Sequence, residues 1–230
     1  MELSTRLAAI AARVPPGSRL ADIGTDHAYL PAYLLLNGTI PSAVASDVNR
    51  GPLDRGRETA KLAGVEEKID FRLSDGLNGL REDETDVIVI AGMGGELISR
   101  ILSEAPWTRD KLLLLQPMTA QPELRRWLNG NGYRIERESI VREGRKLYVI
   151  LTVRGGTDEP YSVGELWAGR QREGEDSPLR LDYLKDLLRR RRRALEGMER
   201  GSVPPETLEE ERTLIDQLEQ LREEWISWQR

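Results

Sequence analysis

Five short strand-like segments rich in apolar residues, each separated by roughly twenty residues, constrain this chain more than any other feature. They are Arg19–Ile23, Ala43–Asp47, Ile69–Leu73, Val87–Ala91 and Leu112–Gln116. Short segments of this length bounded by turn residues are candidates for buried strands of a covered sheet. Helical stretches are expected after the first, second, fourth and fifth, near Ala28–Asn37, Pro52–Ala63, Gly95–Ala105 and Gln121–Asn131. The third link, Gly76–Asp86, has room for a turn or two of helix at most. Such alternation is the pattern of a mostly parallel α/β sheet. An amphipathic helix opens the chain with Leu3, Leu7, Ile10 and Val14 on one face, and Pro15-Pro16-Gly17 stops it.

After the fifth run the rhythm changes. Tyr133–Ile140 and Lys146–Val153 are joined only by the Arg142–Arg145 turn, too short for a crossover helix. The pair is expected as an antiparallel hairpin closing the sheet edge. Gly155-Gly156-Thr157-Asp158-Glu159-Pro160 reads as a boundary, giving domains 1–156 and 157–230, and the stretch to about Ser177 has no clear period. Two helices should follow. Leu184, Leu187, Leu188, Leu195 and Met198 share a face of the first, and Leu208, Ile215, Leu218, Leu221, Trp225 and Trp228 recur on the second. Gly201–Pro205 connects them, predicting an antiparallel, coiled-coil-like helical hairpin, which Trp225 and Trp228 seal unless they stack bases instead.

Charge is uneven. The first 156 residues are balanced, and the remainder carries the whole formal charge of −5. An acidic chain is not the default nucleic-acid binder, so RNA contact must come from a local patch. Arg189–Arg193 is one, with Arg189, Arg190, Arg192 and Arg193 as the candidate phosphate contacts, although a helix would spray such a run around its axis. Arg50, Arg55, Arg125 and Arg126 are further cations of the first region. Cysteine is absent, which removes disulfides, thiolate metal sites and any cysteine nucleophile and fits a reducing cytoplasm. Met1–Val14 carries Glu2 and Arg6 within its helical pattern and is not expected to be a signal peptide. The longest apolar runs fall far short of a membrane span, and no metal site is readable. A monomer is compatible with all of this.

The tips of the runs carry the chemistry. Asp22-Ile23-Gly24-Thr25-Asp26-His27 ends the first. Gly24 lets a ligand approach the backbone, and the following helix offers unpaired N–H groups. A dinucleotide site would want G-x-G-x-x-G for its pyrophosphate, but Asp26 stands where the second glycine belongs and would repel it. Carboxylates at Asp22 and Asp26 instead suit the ammonium and sulfonium groups of S-adenosylmethionine. Asp47, with Val48 beside it, ends the second run and can accept from ribose hydroxyls, or cap the next helix. Ser74-Asp75-Gly76 follows the third, where Asp75 can accept from an adenine amine. Ala91-Gly92-Met93-Gly94-Gly95 ends the fourth as a backbone-lined surface beside the methyl group, so Met93 and Gly94 join Asp26 and Gln116 as catalytic candidates. Gln116 either holds a substrate edge or ends its strand. Tyr29 reads as core or as a stacking surface, and His27, the sole histidine, as a cofactor-loop residue or a packed one.

Five strands with crossovers and a closing hairpin is the layout of the class I methyltransferase (Rossmann-like) seven-stranded sheet, here with a C-terminal antiparallel helical hairpin. The Asn/Asp-Pro-Pro-aromatic sequence used on exocyclic amines is absent after the fourth run, and methylation of pyrimidine C5 needs a cysteine. A ring nitrogen, a hydroxyl or a small molecule is left as acceptor. A catalytically silent RNA-binding module is a further reading, which the three acidic tips argue against. A nicotinamide oxidoreductase comes last, because of Asp26 and the hairpin.

With these residues in view, the chain resembles the bacterial tRNA (adenine-22-N1)-methyltransferase family. The resemblance rests on ADIGTDHAYLP (21–31), ASDVNRGPL (45–53), SDGL (74–77), IAGMGGELI (90–98), LQP (115–117), LRRWL (124–128) and KLYVIL (146–151), and spans residues 1–156. Met118 departs from it, standing where the family often has Asn, and the tail is unusually arginine-rich. The resemblance implies S-adenosylmethionine as cofactor, tRNA as partner and adenine N1 in the D-arm as target.

Overall fold

The structure is a computed structural model that describes residues 1–171 and 177–228. It divides into two compact units, Met1–Asp158 and Glu159–Arg230. No helix among the described residues is long and apolar enough to cross a membrane.

The first unit is built on β1 (Leu20–Ile23), β2 (Ala43–Asp47), β3 (Ile69–Leu73), β4 (Val87–Gly94), β5 (Leu112–Thr119), β6 (Tyr133–Glu143) and β7 (Lys146–Gly155). They form one seven-stranded sheet in the order β3-β2-β1-β4-β5-β7-β6. The first five strands are parallel, and β7 returns antiparallel between β5 and β6. Helices α1 (Thr5–Ala11), α2 (Tyr29–Leu36), α3 (Arg50–Leu62), α4 (Gly95–Ser103) and α5 (Gln121–Gly130) accompany the strands. Leu20, Ala21 and Ile23 on β1 and Val87–Ile90 on β4 are all buried, as apolar residues of central strands covered on both faces are. The sequence order reverses between β1 and β4, where crossovers leave in opposite directions and open a crevice at the strand ends.

Two strands run further than their apolar runs suggest. β4 continues through Gly92, Met93 and Gly94, and β5 through Pro117, Met118 and Thr119. The pairing slips between Ala91 and Met93 and again before Gly94, a bulge that Gly92 permits with φ of 80°. Gly95 then starts α4 where a Cβ would come within 2.2 Å of the Ala120 carbonyl oxygen, so only glycine lets α4 and the β5–α5 turn meet. The hairpin turn tightens to Gly144-Arg145, because Arg142 and Glu143 still pair with Leu147 and Lys146.

Arg125, a surface cation by sequence, is buried. Its guanidinium lies side-on to Glu138 of β6, with Nε donating to Oε1 at 3.1 Å and Nη2 to Oε2 at 2.7 Å. Both side chains are almost wholly enclosed, at 0% and 2% exposure. The pair ties α5 to the hairpin and takes Arg125 out of any substrate role.

The second unit holds α6 (Val163–Ala168), α7 (Arg180–Arg200) and α8 (Pro205–Ser227). Helix α6 lies in the stretch without a clear period, whose residues 172–176 fall outside the described residues. Six residues are too few to show a period, but Ser162 and Glu165 form a capping box that marks the start. The Arg180 guanidinium lies 5.6 Å from the Trp225 ring centre, Arg192 pairs with Glu219 and Arg212 with Glu199, so rising numbers on α7 meet falling ones on α8 and the helices are antiparallel. Leu184, Leu187 and Leu188 pack with Leu214, Ile215, Leu218 and Trp225, and Trp228 is partly buried against them.

Glu138→Ala would remove the carboxylate that the buried Arg125 guanidinium lies against. We expect a loss of about 3–5 kcal/mol, the usual result of removing one partner of a buried pair. Urea denaturation of the two proteins checks it, and a change below about 1 kcal/mol would refute the assignment.

Candidate functional site

A cavity of about 490 Å³ opens at the end of β1. Asp22, Gly24, Thr25, Asp26, His27, Ala91 and Gly92 line it, all of them sites expected from the sequence. Ser4, Arg6, Leu7 and Glu143 line it too, and sequence reasoning missed them. The signal for Arg6 was available: it stands three residues after Leu3 and four before Ile10, a cation on the apolar stripe of α1.

Asp22 is the centre of this arrangement. Its side chain is buried, and Thr25 Oγ1 donates to it at 2.7 Å. Burial pushes its pKa up to about 6, against the lowering effect of the Thr25 hydroxyl and with a smaller rise from Asp47. The turn beyond it is held by β2: the Gly24 and Thr25 N–H groups both donate to the Ser46 carbonyl, at 2.7 and 3.0 Å. Those two are therefore unavailable to a ligand. The donors left over belong to the first turn of α2, whose N-cap, Ala28, makes no side-chain cap and sits in the left-handed region at φ 52°. Gly24 has φ 74°, and a Cβ there would meet the Met93 methyl at 2.1 Å, so Met93 reaches the site by lying across this turn.

Asp26 is exposed at the cavity edge. Arg55 Nη2 donates to it at 2.7 Å, and His27 Nε2 stands 3.6 Å away. Tyr29, read as possible core, is 44% exposed and stacks on His27 with ring centres 5.1 Å apart and planes inclined by 8°. The pair presents a flat aromatic surface to the cavity they both line.

The remaining expected residues lie around the cavity rather than on its wall. Asp47 accepts from the Asn49 N–H at 2.8 Å; Asn49, not Asp47, is the N-cap of α3. Val48 beside it is an exposed apolar side chain. Asp75 is held by Arg100 at 3.0 Å, which lowers its pKa. Ser74 N–H donates to the Asp47 carbonyl, and Gly76 takes φ of 57° against Ile101. Gly94 faces Thr119, whose Oγ1 lies 3.1 Å from where a Cβ would stand. Gln116 corrects its expected role. It is fully buried, its Oε1 accepts from Arg6 Nη1 at 2.6 Å and from the Gly92 N–H at 3.2 Å, and its Nε2 donates to Pro117 O and Met118 Sδ. With its amide engaged on both sides, it braces the Gly92 bulge instead of reaching a substrate.

In the second unit the arginine run is not uniform. Arg191 turns inward to the buried Glu211, with its guanidinium 4.5 Å from the Trp167 ring centre. Arg189 and Arg190 pair with Asp186, and Arg192 with Glu219. Arg189, Arg192 and Arg193 join Lys185 and Arg222 along a groove of about 400 Å³ whose carboxylates are Glu196 and Glu219. Cations therefore predominate there five to two, on an otherwise acidic unit.

Comparison with known proteins bears on both units. The family described as "Methyltransferase domain" matches residues 3–151. The tRNA (adenine(22)-N(1))-methyltransferase of Bacillus subtilis is 38% identical over 175 residues, 74% of this chain and 72% of that one. The crystal structure of the B. subtilis m1A22 tRNA methyltransferase TrmK superposes with a TM-score of 0.86 at 29% identity, covering 96% of this chain and 99% of the other. Sp1610 of Streptococcus pneumoniae, a candidate tRNA (m1A22) methyltransferase solved with S-adenosyl-L-methionine, gives 0.82 at 35% identity over 94% and 99%.

The raised pKa of Asp22 has a measurable consequence without any ligand. A carboxyl that holds its proton more tightly when folded stabilises the fold fully below the ordinary value of 3.8. That contribution declines as pH rises and is gone above about 6. Asp22→Asn removes the charge and keeps an acceptor for Thr25. The variant should match the parent at pH 4 and exceed it at pH 7.5 by on the order of 2–3 kcal/mol. Urea melts at the two pH values test this, and an equal difference at both would exclude a buried, ionising Asp22.

Proposed function

Because the chain belongs to the tRNA (adenine-22-N1)-methyltransferase family, we infer that it transfers a methyl group from S-adenosylmethionine to N1 of an adenine in tRNA, at position 22. The observation that carries this reading is the buried Asp22 carboxylate, which forms no ion pair with a lysine or arginine among the described residues and which asks for a cationic ligand. The amino group of S-adenosylmethionine meets that demand. Gly24 keeps the adjoining wall free of any side chain but the Met93 methyl, so the residues present fit the group. Bound there, the cofactor supplies an activated methyl group.

The site residues divide the work. Asp22, with Thr25, holds the ammonium. Asp47 takes the ribose hydroxyls, with Val48 covering one face of the adenine ring and Ser74, Asp75 and Gly76 bordering its edge. Ala91, Gly92, Met93 and Gly94 form the wall beside the transferred methyl, fixed by Gln116. The target adenine stacks on Tyr29 and His27, whose exposed aromatic surface is otherwise unexplained. Adenine N1 presents an in-plane lone pair, so no base has to remove a proton, and alignment supplies most of the acceleration. Positive charge grows on the base during transfer. Asp26 at the cavity edge stabilises it there, moderated by its bond to Arg55.

The cationic groove on α7 and α8 takes tRNA phosphates through Arg189, Arg192 and Arg193, with Arg190 on the neighbouring face. This separates the tRNA reading from a small-molecule methyltransferase on the same sheet, for which such a groove has no use. A tRNA substrate puts the activity in the cytoplasm.

Two experiments test the reading. With labelled cofactor and bulk tRNA, digestion should yield N1-methyladenosine, and a transcript carrying G at position 22 should accept no label. Label on another base, or only on small molecules, would refute it. Separately, Arg189, Arg192 and Arg193 replaced together by Gln should lower the slope of log affinity against log salt by about one to two, at roughly 0.7–0.9 per phosphate contact. An unchanged slope in the folded variant would leave these arginines as a solvated helix face.

A further inference from the structure

An adenine that reaches the cavity brings its own backbone with it, so phosphates must lie around the cavity mouth. The first 156 residues have no net charge to attract them. Two cations of that region are engaged elsewhere, Arg125 on Glu138 and Arg55 on Asp26. The tip of the β6–β7 hairpin supplies what is missing. We propose that Arg145 and Lys146 hold the RNA phosphates next to the target adenine. The proposal rests on the reading of this chain as a tRNA methyltransferase, and it gives the first unit a phosphate contact of its own.

Glu143, the last residue of β6, lines the cavity, and Gly144-Arg145 is the turn that follows it. Lys146 stands directly opposite Glu143 in the ladder, so the two share one face of the hairpin. On that face Tyr148 meets α1, with its ring centre 5.6 Å from Cζ of Arg6. From Tyr133 to Gly155 the chain has six cations and three carboxylates. All three carboxylates are engaged. Glu136 pairs with Arg154 and Glu138 with Arg125, while Glu143 takes the Ser4 hydroxyl and the Arg6 N–H at the start of α1. Arg145 and Lys146 are exposed and form no ion pair among the described residues, unlike Arg57, Arg81 and Arg100 of the same unit. The backbone that carries them is fixed. A two-residue hairpin turn matches the strand twist when its first central residue has positive φ, and Gly144 supplies 58°. Cations on such a turn have little backbone freedom to lose on binding, so they place a phosphate as well as attract it. An acidic protein is the competing partner. The stacked His27 and Tyr29 rings in the same cavity favour a nucleic acid, which offers a base to the rings and a phosphate to the cations.

Three measurements on the full chain test this. Arg145→Gln combined with Lys146→Gln should lower the slope of log tRNA affinity against log salt by about one to two, at roughly 0.7–0.9 per contact. Affinity of that variant for S-adenosylhomocysteine should stay within about twofold of the parent, which also shows that it is folded. Because the chain has no cysteine, Arg145→Cys can carry an iron chelate that cuts nearby RNA backbone. The cuts should cluster within a few nucleotides of the methylated adenine. An unchanged slope would leave the two cations to solvent or to an acidic protein and overturn the proposal, as would cuts scattered along the tRNA or confined to a distant arm. A slope that moves with Arg50→Gln, the exposed cation at the start of α3, and not with the double variant would bring the backbone past α3 and overturn it as well. If the parent protein neither binds nor methylates tRNA, the functional reading itself fails and the hairpin contact with it.

Discussion

β1 pairs in parallel with β2 along one edge and with β4 along the other. Everything functional in the first unit follows from that double pairing. A right-handed crossover must leave β1 toward one face to reach β2, and the chain returns on the opposite face to enter β4. The strand ends between them cannot be covered by either helix, and the polar groups there need partners. Two come from inside, since Ser46 takes the Gly24 and Thr25 amides. Asp22 has only a hydroxyl. A carboxylate enclosed by a parallel sheet, with a pKa near 6, is unfavourable in the fold on its own and favourable once a cation arrives.

What could be read in the sequence is what local rules govern. Short segments rich in apolar residues give the strands, the short Arg142–Arg145 link forces a hairpin, and Asp26 in place of a glycine excludes a pyrophosphate. The strand tips extend past their apolar runs because polar and glycine residues can keep pairing when a bulge absorbs the mismatch, and no pattern of hydrophobicity records that. Partners were harder to foresee than positions. Gln116 was expected to end its strand or to hold a substrate edge, yet β5 runs three residues past it, and its amide is occupied by an arginine 110 residues earlier and by a glycine on the neighbouring β4. Asp75 is likewise where it should be, but it is held by Arg100. Arg125 looked like surface because an arginine in a helix usually is; only the location of Glu138 on β6 makes its burial tolerable.

The second unit shows how an acidic segment can present a basic face. Along α7 five arginines follow one another, and the helix distributes them by angle rather than by sequence. The inward one, Arg191, is neutralised by Glu211 and joins the helix interface. Others make pairs that lie near the surface, where an ion pair is weak enough to be exchanged for a phosphate. Net charge alone would have hidden this, because the carboxylates that make the unit acidic are spread over both helices while the groove collects the cations.

The contact between Arg6 and Glu143 spans 137 residues of sequence. Helix α1 precedes β1 in the chain, and β6 is the sixth of seven strands. A nascent chain that has completed β1 to β5 therefore has its acidic turn but lacks the wall that Glu143 and the hairpin supply. Contacts of such separation form late, since closing a long loop loses chain entropy before any packing compensates. The pocket is thus among the last parts of this unit to mature, and translation must pass Glu143 before the cavity can be completed.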